Sequence, residues 1–170
     1  LLSLISFCSF AQTQNLEGKW KGVITMDTSG YYKQVITFSV QFRQSGNAIW
    51  GIYVKGNDPV KNTADCTGRL TAGLNNKNGS VIKIFQDGIE KNNIPLDLCL
   101  YMNFLEADYS KEENAEYLKG KWFGNPNYRR YGVDRASGSF QLEKTSPVVD
   151  IEVDKYFPNL ARLIKEFNSD

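Results

Sequence analysis

Apolar residues recur at every second position along segment after segment of this chain, and that period of two constrains its fold more than any other feature. A strand sends successive side chains to opposite faces, so such a run buries one face and wets the other. Over 35–43, Ile36, Phe38, Val40 and Phe42 alternate with Thr37, Ser39, Gln41 and Arg43. The same even-numbered face carries Trp20, Gly22, Ile24 and Met26 in 18–26. In 47–55 it carries Ala48, Trp50, Ile52 and Val54, although Ile49 and Tyr53 blur the opposite face. Gly68, Leu70 and Ala72 follow, then Ile82 with Ile84, then Leu96, Leu98, Leu100, Met102 and Phe104 in 96–106. Leu118, Gly120, Trp122 and Gly124, and finally Phe140 with Leu142, complete eight candidate strands.

The breaks between them hold turn residues. Ser45-Gly46-Asn47, Asn78-Gly79 and Asp87-Gly88 read as tight turns. The longer stretches 56–65 and 125–137, rich in Asn, Pro, Arg and Tyr, read as loops around a mouth. After Lys144 the period becomes helical: Leu160, Leu163, Ile164 and Phe167 lie at i, i+3, i+4 and i+7, behind Asp154 and Pro158. That predicts a short C-terminal helix over 155–168, its stripe packed on the outside of the sheet. Strands with one apolar face remove their exposed edges by closing on themselves. An all-β, eight-stranded antiparallel up-and-down barrel is therefore expected. An open sandwich has the same alternation, but the short gaps between strands favour neighbour-to-neighbour pairing.

Residues 1–10, LLSLISFCSF, are apolar but too few to span a bilayer as a helix, and polar AQTQN follows at once. This reads as the end of a signal peptide, 1–11, cleaved after Ala11 with small Ser9 two residues before it. A buried N-terminal strand is the alternative. Cys8 follows Phe7, where a lipoprotein signal needs a small residue, so no lipid anchor is expected. One domain over 12–170 is expected, secreted or periplasmic, with no transmembrane segment in the mature chain. Export favours a disulfide between Cys66 and Cys99. Parity opposes it, since Cys66 falls on the inward face and Cys99 on the outward one, and two free buried thiols are the other reading.

Charge and composition exclude more than they indicate. Twenty Lys and Arg against nineteen Asp and Glu leave a net charge of +1, too little to gather nucleic acid. The chain has no histidine, which removes Ser-His-Asp and Cys-His nucleophile pairs and the usual general base near neutrality. No nucleophile with a base is identifiable, so neither catalysis nor a cofactor is expected. Glu106, Asp108, Glu112, Glu113 and Glu116 offer carboxylates for a glycosidase pair, but a run broken by Lys111 fits a solvated loop better. Asp58, Asn62 and Asp65 match no calcium-loop spacing, so no metal is expected. Arg129, Arg130 and Arg135, interleaved with Tyr128 and Tyr131, fit an anionic or sugar group or, more simply, a solvated loop.

One motif recurs. Leu16-Glu17-Gly18-Lys19-Trp20-Lys21-Gly22 returns as Leu118-Lys119-Gly120-Lys121-Trp122-Phe123-Gly124. Gly18 and Gly120 let a strand bend at a barrel corner, and Trp20 and Trp122 plug the interior. Gly18-x-Trp20 on a first strand resembles the calycins, the group of lipocalins, fatty-acid-binding proteins and avidins. Trp50-Gly51-Ile52-Tyr53 looks like the second or third strand of an avidin-type barrel, although no biotin-binding residue can be placed. The chain as a whole resembles secreted barrel proteins of gram-negative bacteria. The resemblance implies a late basic residue over the motif tryptophan, with Lys144 and Arg135 as candidates.

A barrel of this size is either filled by side chains or holds one small ligand. The leading expectation is a non-catalytic barrel binding a small apolar or amphiphilic molecule at its open end, through Trp50, Tyr53, Tyr31, Tyr32, Tyr128 and Tyr131. The rival is a protein-interaction or inhibitor module with a packed interior. Inward Gly22, Gly68, Ala72, Gly120 and Gly124 leave room, whereas Phe38, Phe42, Trp50, Met102, Phe104 and Trp122 consume it.

Overall fold

Alternation is realised as a ring of hydrogen-bonded neighbours. The computed structural model describes residues 14–27, 33–56, 66–74, 81–92, 102–125, 137–149 and 152–169. Its strands are β1 (Gly18–Asp27), β2 (Lys33–Ser45), β3 (Ala48–Lys55), β4 (Cys66–Gly73), β5 (Val81–Asn92), β6 (Met102–Glu112), β7 (Ala115–Gly124) and β8 (Ser137–Ser146). Each pairs antiparallel with its neighbours in sequence, and β8 closes on β1 through pairs such as Gly22↔Leu142 and Ile24↔Phe140. The closed up-and-down barrel expected from the alternation is the fold.

The even-numbered face points inward on β1, β2, β4 and β8, where Trp20, Ile24, Phe38, Val40, Phe42, Leu70, Ala72, Phe140 and Leu142 join one buried cluster. Two strands depart from that expectation. In β3 the inward residues are Ile49 and Tyr53, while Ala48, Trp50 and Ile52 belong to a second cluster outside the barrel. The cause is the hairpin. Ser45 pairs with Ala48 across a two-residue Gly46-Asn47 turn, so Phe42 faces Gly51 and Val40 faces Tyr53. A three-residue turn would have kept the even face inward, because one residue of register moves every side chain to the other face. In β6, Met102 points in, but a bulge between Met102 and Phe104 turns Leu105 and Ala107 inward in place of Phe104.

Three boundaries also differ. Asp87-Gly88 is no turn but lies inside β5, which runs on to Asn92. β6 is described from Met102, and 96–101, expected in the same strand, lie outside the described residues; the acidic residues expected in a loop lie on β6, its turn to β7, and β7. The helix is α1 (Leu160–Asn168), preceded by a short 3-10 helix at Val153–Tyr156, because Pro158 between them cannot donate to a continuous helix.

α1 lies where its stripe predicted. Leu160, Leu163, Ile164 and Phe167 pack with Val153 and Phe157 on the outer face of β3. Six successive residues from Ala48 are therefore buried on one face or the other. Polar contacts fix the dock: Trp50 Nε1 donates to Asp154 Oδ1 at 2.8 Å. Asn168 straddles the β2–β3 turn, its Oδ1 accepting from Asn47 N at 2.7 Å and its Nδ2 donating to Ser45 O at 3.1 Å.

Candidate functional site

The barrel has two unlike ends. At one, β2–β3 and β6–β7 are joined by two-residue turns, Gly46-Asn47 and Glu113-Asn114. Residues 14–17 are strapped across this end. Gln44 holds the strap as a strand partner would, with Oε1 accepting from Leu16 N at 2.8 Å and Nε2 donating to Gln14 O at 3.0 Å. Leu16 is fully buried. Gly18, at φ 131°, takes the chain from strap to strand in a conformation that L side chains rarely adopt, and a Cβ there would meet Ser146 O.

Trp20 fills this end, fully buried, with Nε1 donating to Leu16 O at 2.9 Å. Lys144 Nζ lies 5.4 Å from the centre of its ring and donates to Asn15 O at 3.0 Å. The late cation over the motif tryptophan is therefore Lys144; Arg135, the other candidate, lies outside the described residues. The ammonium also pairs with Glu116 Oε2 at 3.1 Å, and Tyr109 donates its hydroxyl to the same oxygen at 3.1 Å. Partial burial, that hydrogen bond and the Glu116 charge push the Tyr109 phenol up to about 12. Sequence reasoning placed Glu116 in an acidic loop and did not single out Tyr109, because the pair meets only across the β6–β7 hairpin.

Alternating strand direction sends the β1–β2, β3–β4, β5–β6 and β7–β8 connections to the opposite end. These connections contain Tyr31, Tyr32, Tyr128 and Tyr131, and also Asp58, Asn62, Asp65, Cys99, Arg129 and Arg130, all outside the described residues, as is Asn78-Gly79. Toward this end Tyr53 is fully buried and stacks on Phe38 with ring centres 5.3 Å apart. Trp122 is buried toward the end opposite Trp20: it pairs with Gly138 at the start of β8, and its Nε1 donates to Thr25 O at 2.8 Å. Both large rings use a missing side chain, since a Cβ on Gly68 would meet Tyr53 and one on Gly138 would meet Trp122. No polar or charged side chain is buried among the described residues. The expectation that Trp50 lines this space does not hold, because its ring lies outside the wall beneath α1.

Cys66, the first residue of β4, is 1% exposed and disulfide-bonded; its partner lies outside the described residues. Arg69 is a centre that sequence reasoning missed. From the outer face of β4 its Nε lies 2.9 Å from Glu90 Oε1 and 3.4 Å from Asp87 Oδ2, and its Nη1 donates to Tyr156 O at 3.2 Å. The two carboxylates three residues apart were the signal, hidden by the turn-like Asp87-Gly88. Glu106 pairs with Lys83 at 3.4 Å on the outer wall. Among the described residues, no group of three or more metal-ligating side chains converges and no helix is long and apolar enough to cross a membrane.

No family model and no curated protein matches the sequence. Among solved structures the chain is similar to lobster apocrustacyanin A1, with 11% identity and a TM-score of 0.39, over 91% of this chain and 72% of that one. The arrangement itself is a closed eight-stranded antiparallel barrel whose first-strand Trp20 lies beneath the cation of Lys144 on the last strand.

Proposed function

We propose that this is an exported, non-catalytic carrier that takes one small, partly apolar molecule into the barrel from the end opposite Trp20. The observation that carries the reading is the difference between the ends. One is sealed by Leu16, Trp20 and the Lys144 contacts, while the three longest connections, β3–β4, β5–β6 and β7–β8, leave from the other, where the wall is lined by apolar side chains. An eight-stranded barrel is just wide enough for one small ligand, and such a lining selects an apolar body. Tyr53 supplies contact from within, and Tyr31, Tyr32, Tyr128 and Tyr131 supply rim contacts whose hydroxyls suit a polar head group. Export through the 1–11 segment, in a gram-negative bacterium, belongs to the same proposal.

A specific observation favours a second reading. Trp122 over Gly138 and Tyr53 over Gly68 send two large rings into the interior, as an interaction module with a packed barrel requires. Titration with the apolar fluorophore N-phenyl-1-naphthylamine, and separately with bacterial lipid extract, decides between them. The carrier gives a saturable change in tryptophan emission, lost in Trp122→Phe, and a melting temperature that rises with ligand by mass action. Absence of any saturable response favours the packed barrel, for which changes at Tyr128 or Tyr131 abolish binding to a protein partner.

A further inference from the structure

On opposite sides of the barrel a glycine makes room for a ring. Trp122 belongs to β7 and Tyr53 to β3, strands separated by half of the closed ring. Each is the third residue from the end of its strand opposite Trp20, β7 finishing at Gly124 and β3 at Lys55. Each faces a glycine on the next strand, Trp122↔Gly138 on β8 and Tyr53↔Gly68 on β4. Both glycines are buried and share the inward parity of Phe140 and Leu70, so a side chain at either would point into the barrel. The rings take that space instead: a Cβ on Gly138 would meet Trp122 Nε1, and one on Gly68 would meet Cε1 and Cζ of Tyr53.

The hydrogen bond of Trp122 fixes how its ring lies. Neighbouring strands are about 4.8 Å apart, and the acceptor, Thr25 O, is on β1, two strands away from β7. Nε1 comes within 2.8 Å of it because the indole extends sideways over Gly138; an indole aimed at the barrel axis would not reach. The ring is therefore laid against the wall, and it offers the interior a broad aromatic surface. On the opposite side Tyr53 reaches over β4 and stacks on Phe38 of β2, with ring centres 5.3 Å and planes 28° apart, so that wall is aromatic across neighbouring strands. A space bounded on opposed sides by such surfaces is a slot rather than a tube. A rigid flat molecule enters a slot with no torsional freedom to lose, whereas an acyl chain has to be ordered there. Aromatic contact also adds to area burial.

We infer that the molecule carried is a flat, rigid ring system, held between Trp122 and the Tyr53–Phe38 stack, and not a flexible acyl chain. The inference rests on the carrier reading and narrows it to a chemical class. Fluorescence titration of the full chain with 1-aminoanthracene, a fused-ring amine, and calorimetric titration with myristate, matched to it in carbon number, compare the classes. The unaltered protein binds 1-aminoanthracene the more tightly. Trp122→Leu keeps an apolar side chain and removes the ring; its Kd for 1-aminoanthracene rises roughly threefold to tenfold, the size of one aromatic contact, while that for myristate is unchanged. Tyr53→Leu acts in the same way from the other wall and serves if Trp122→Leu folds poorly. Myristate bound as tightly as 1-aminoanthracene, or folded variants that lose both ligands equally or neither, overturns the ring class and leaves the carrier reading standing. No saturable response of the unaltered protein to 1-aminoanthracene, myristate or lipid extract overturns the carrier reading itself.

Discussion

Lys144 is held at the sealed end by Trp20, Glu116 and Asn15 O, with Tyr109 on the far side of Glu116. Each contact uses a different property of its partner: a π face, a charge, a carbonyl dipole. Tyr109 makes the cluster measurable. Its folded pKa of about 12 lies above the ordinary phenol value of 10.0. The folded state thus favours the neutral phenol, a contribution complete below about pH 10 and lost as pH rises through about 12. Spectrophotometric titration of the folded protein is expected to show a tyrosine step near pH 12 that Tyr109→Phe removes. Ionisation of every tyrosine near 10 with the fold intact would contradict the cluster. Lys144 was legible as a candidate from the Gly18-x-Trp20 resemblance, whereas Glu116 was not, because nothing in a run of acids marks which one turns inward.

β3 and α1 form a unit that reverses the role expected of Trp50. The indole serves the dock of the helix, through Asp154 and the apolar stripe. Trp50→Phe is expected to keep the barrel, lose one hydrogen bond worth about 1 kcal/mol, and raise amide exchange across 160–168 while leaving probe affinity unchanged. A fall in affinity instead would return Trp50 to the ligand site. β5 teaches a related lesson. Asp-Gly favours a tight turn and, equally, the irregular backbone of a bulge, and only pairing with β4 through Arg69 decides between them.

At the scale of the molecule, the proposed export bears on the disulfide at Cys66. Removal of 1–11 also removes Cys8, which leaves Cys99 as the only partner for Cys66 within the chain. Intact-mass measurement of the exported protein is expected to give a chain beginning at Gln12 and lighter by two hydrogens than its reduced form, with the bridge worth about 2–4 kcal/mol of stability. A retained leader or two free thiols would refute this. Eight strands, their order, the closed antiparallel barrel and the outward helix were all determined by sequence, because period two and period 3.6 are local properties that any window of the chain displays. Which face of β3 and β6 looks inward and which side chains meet at Lys144 and Arg69 were decided only by tertiary structure. A single residue of register, added by a turn or a bulge, inverts a face without changing the local pattern, and partners separated by dozens of residues become neighbours only when the ring closes.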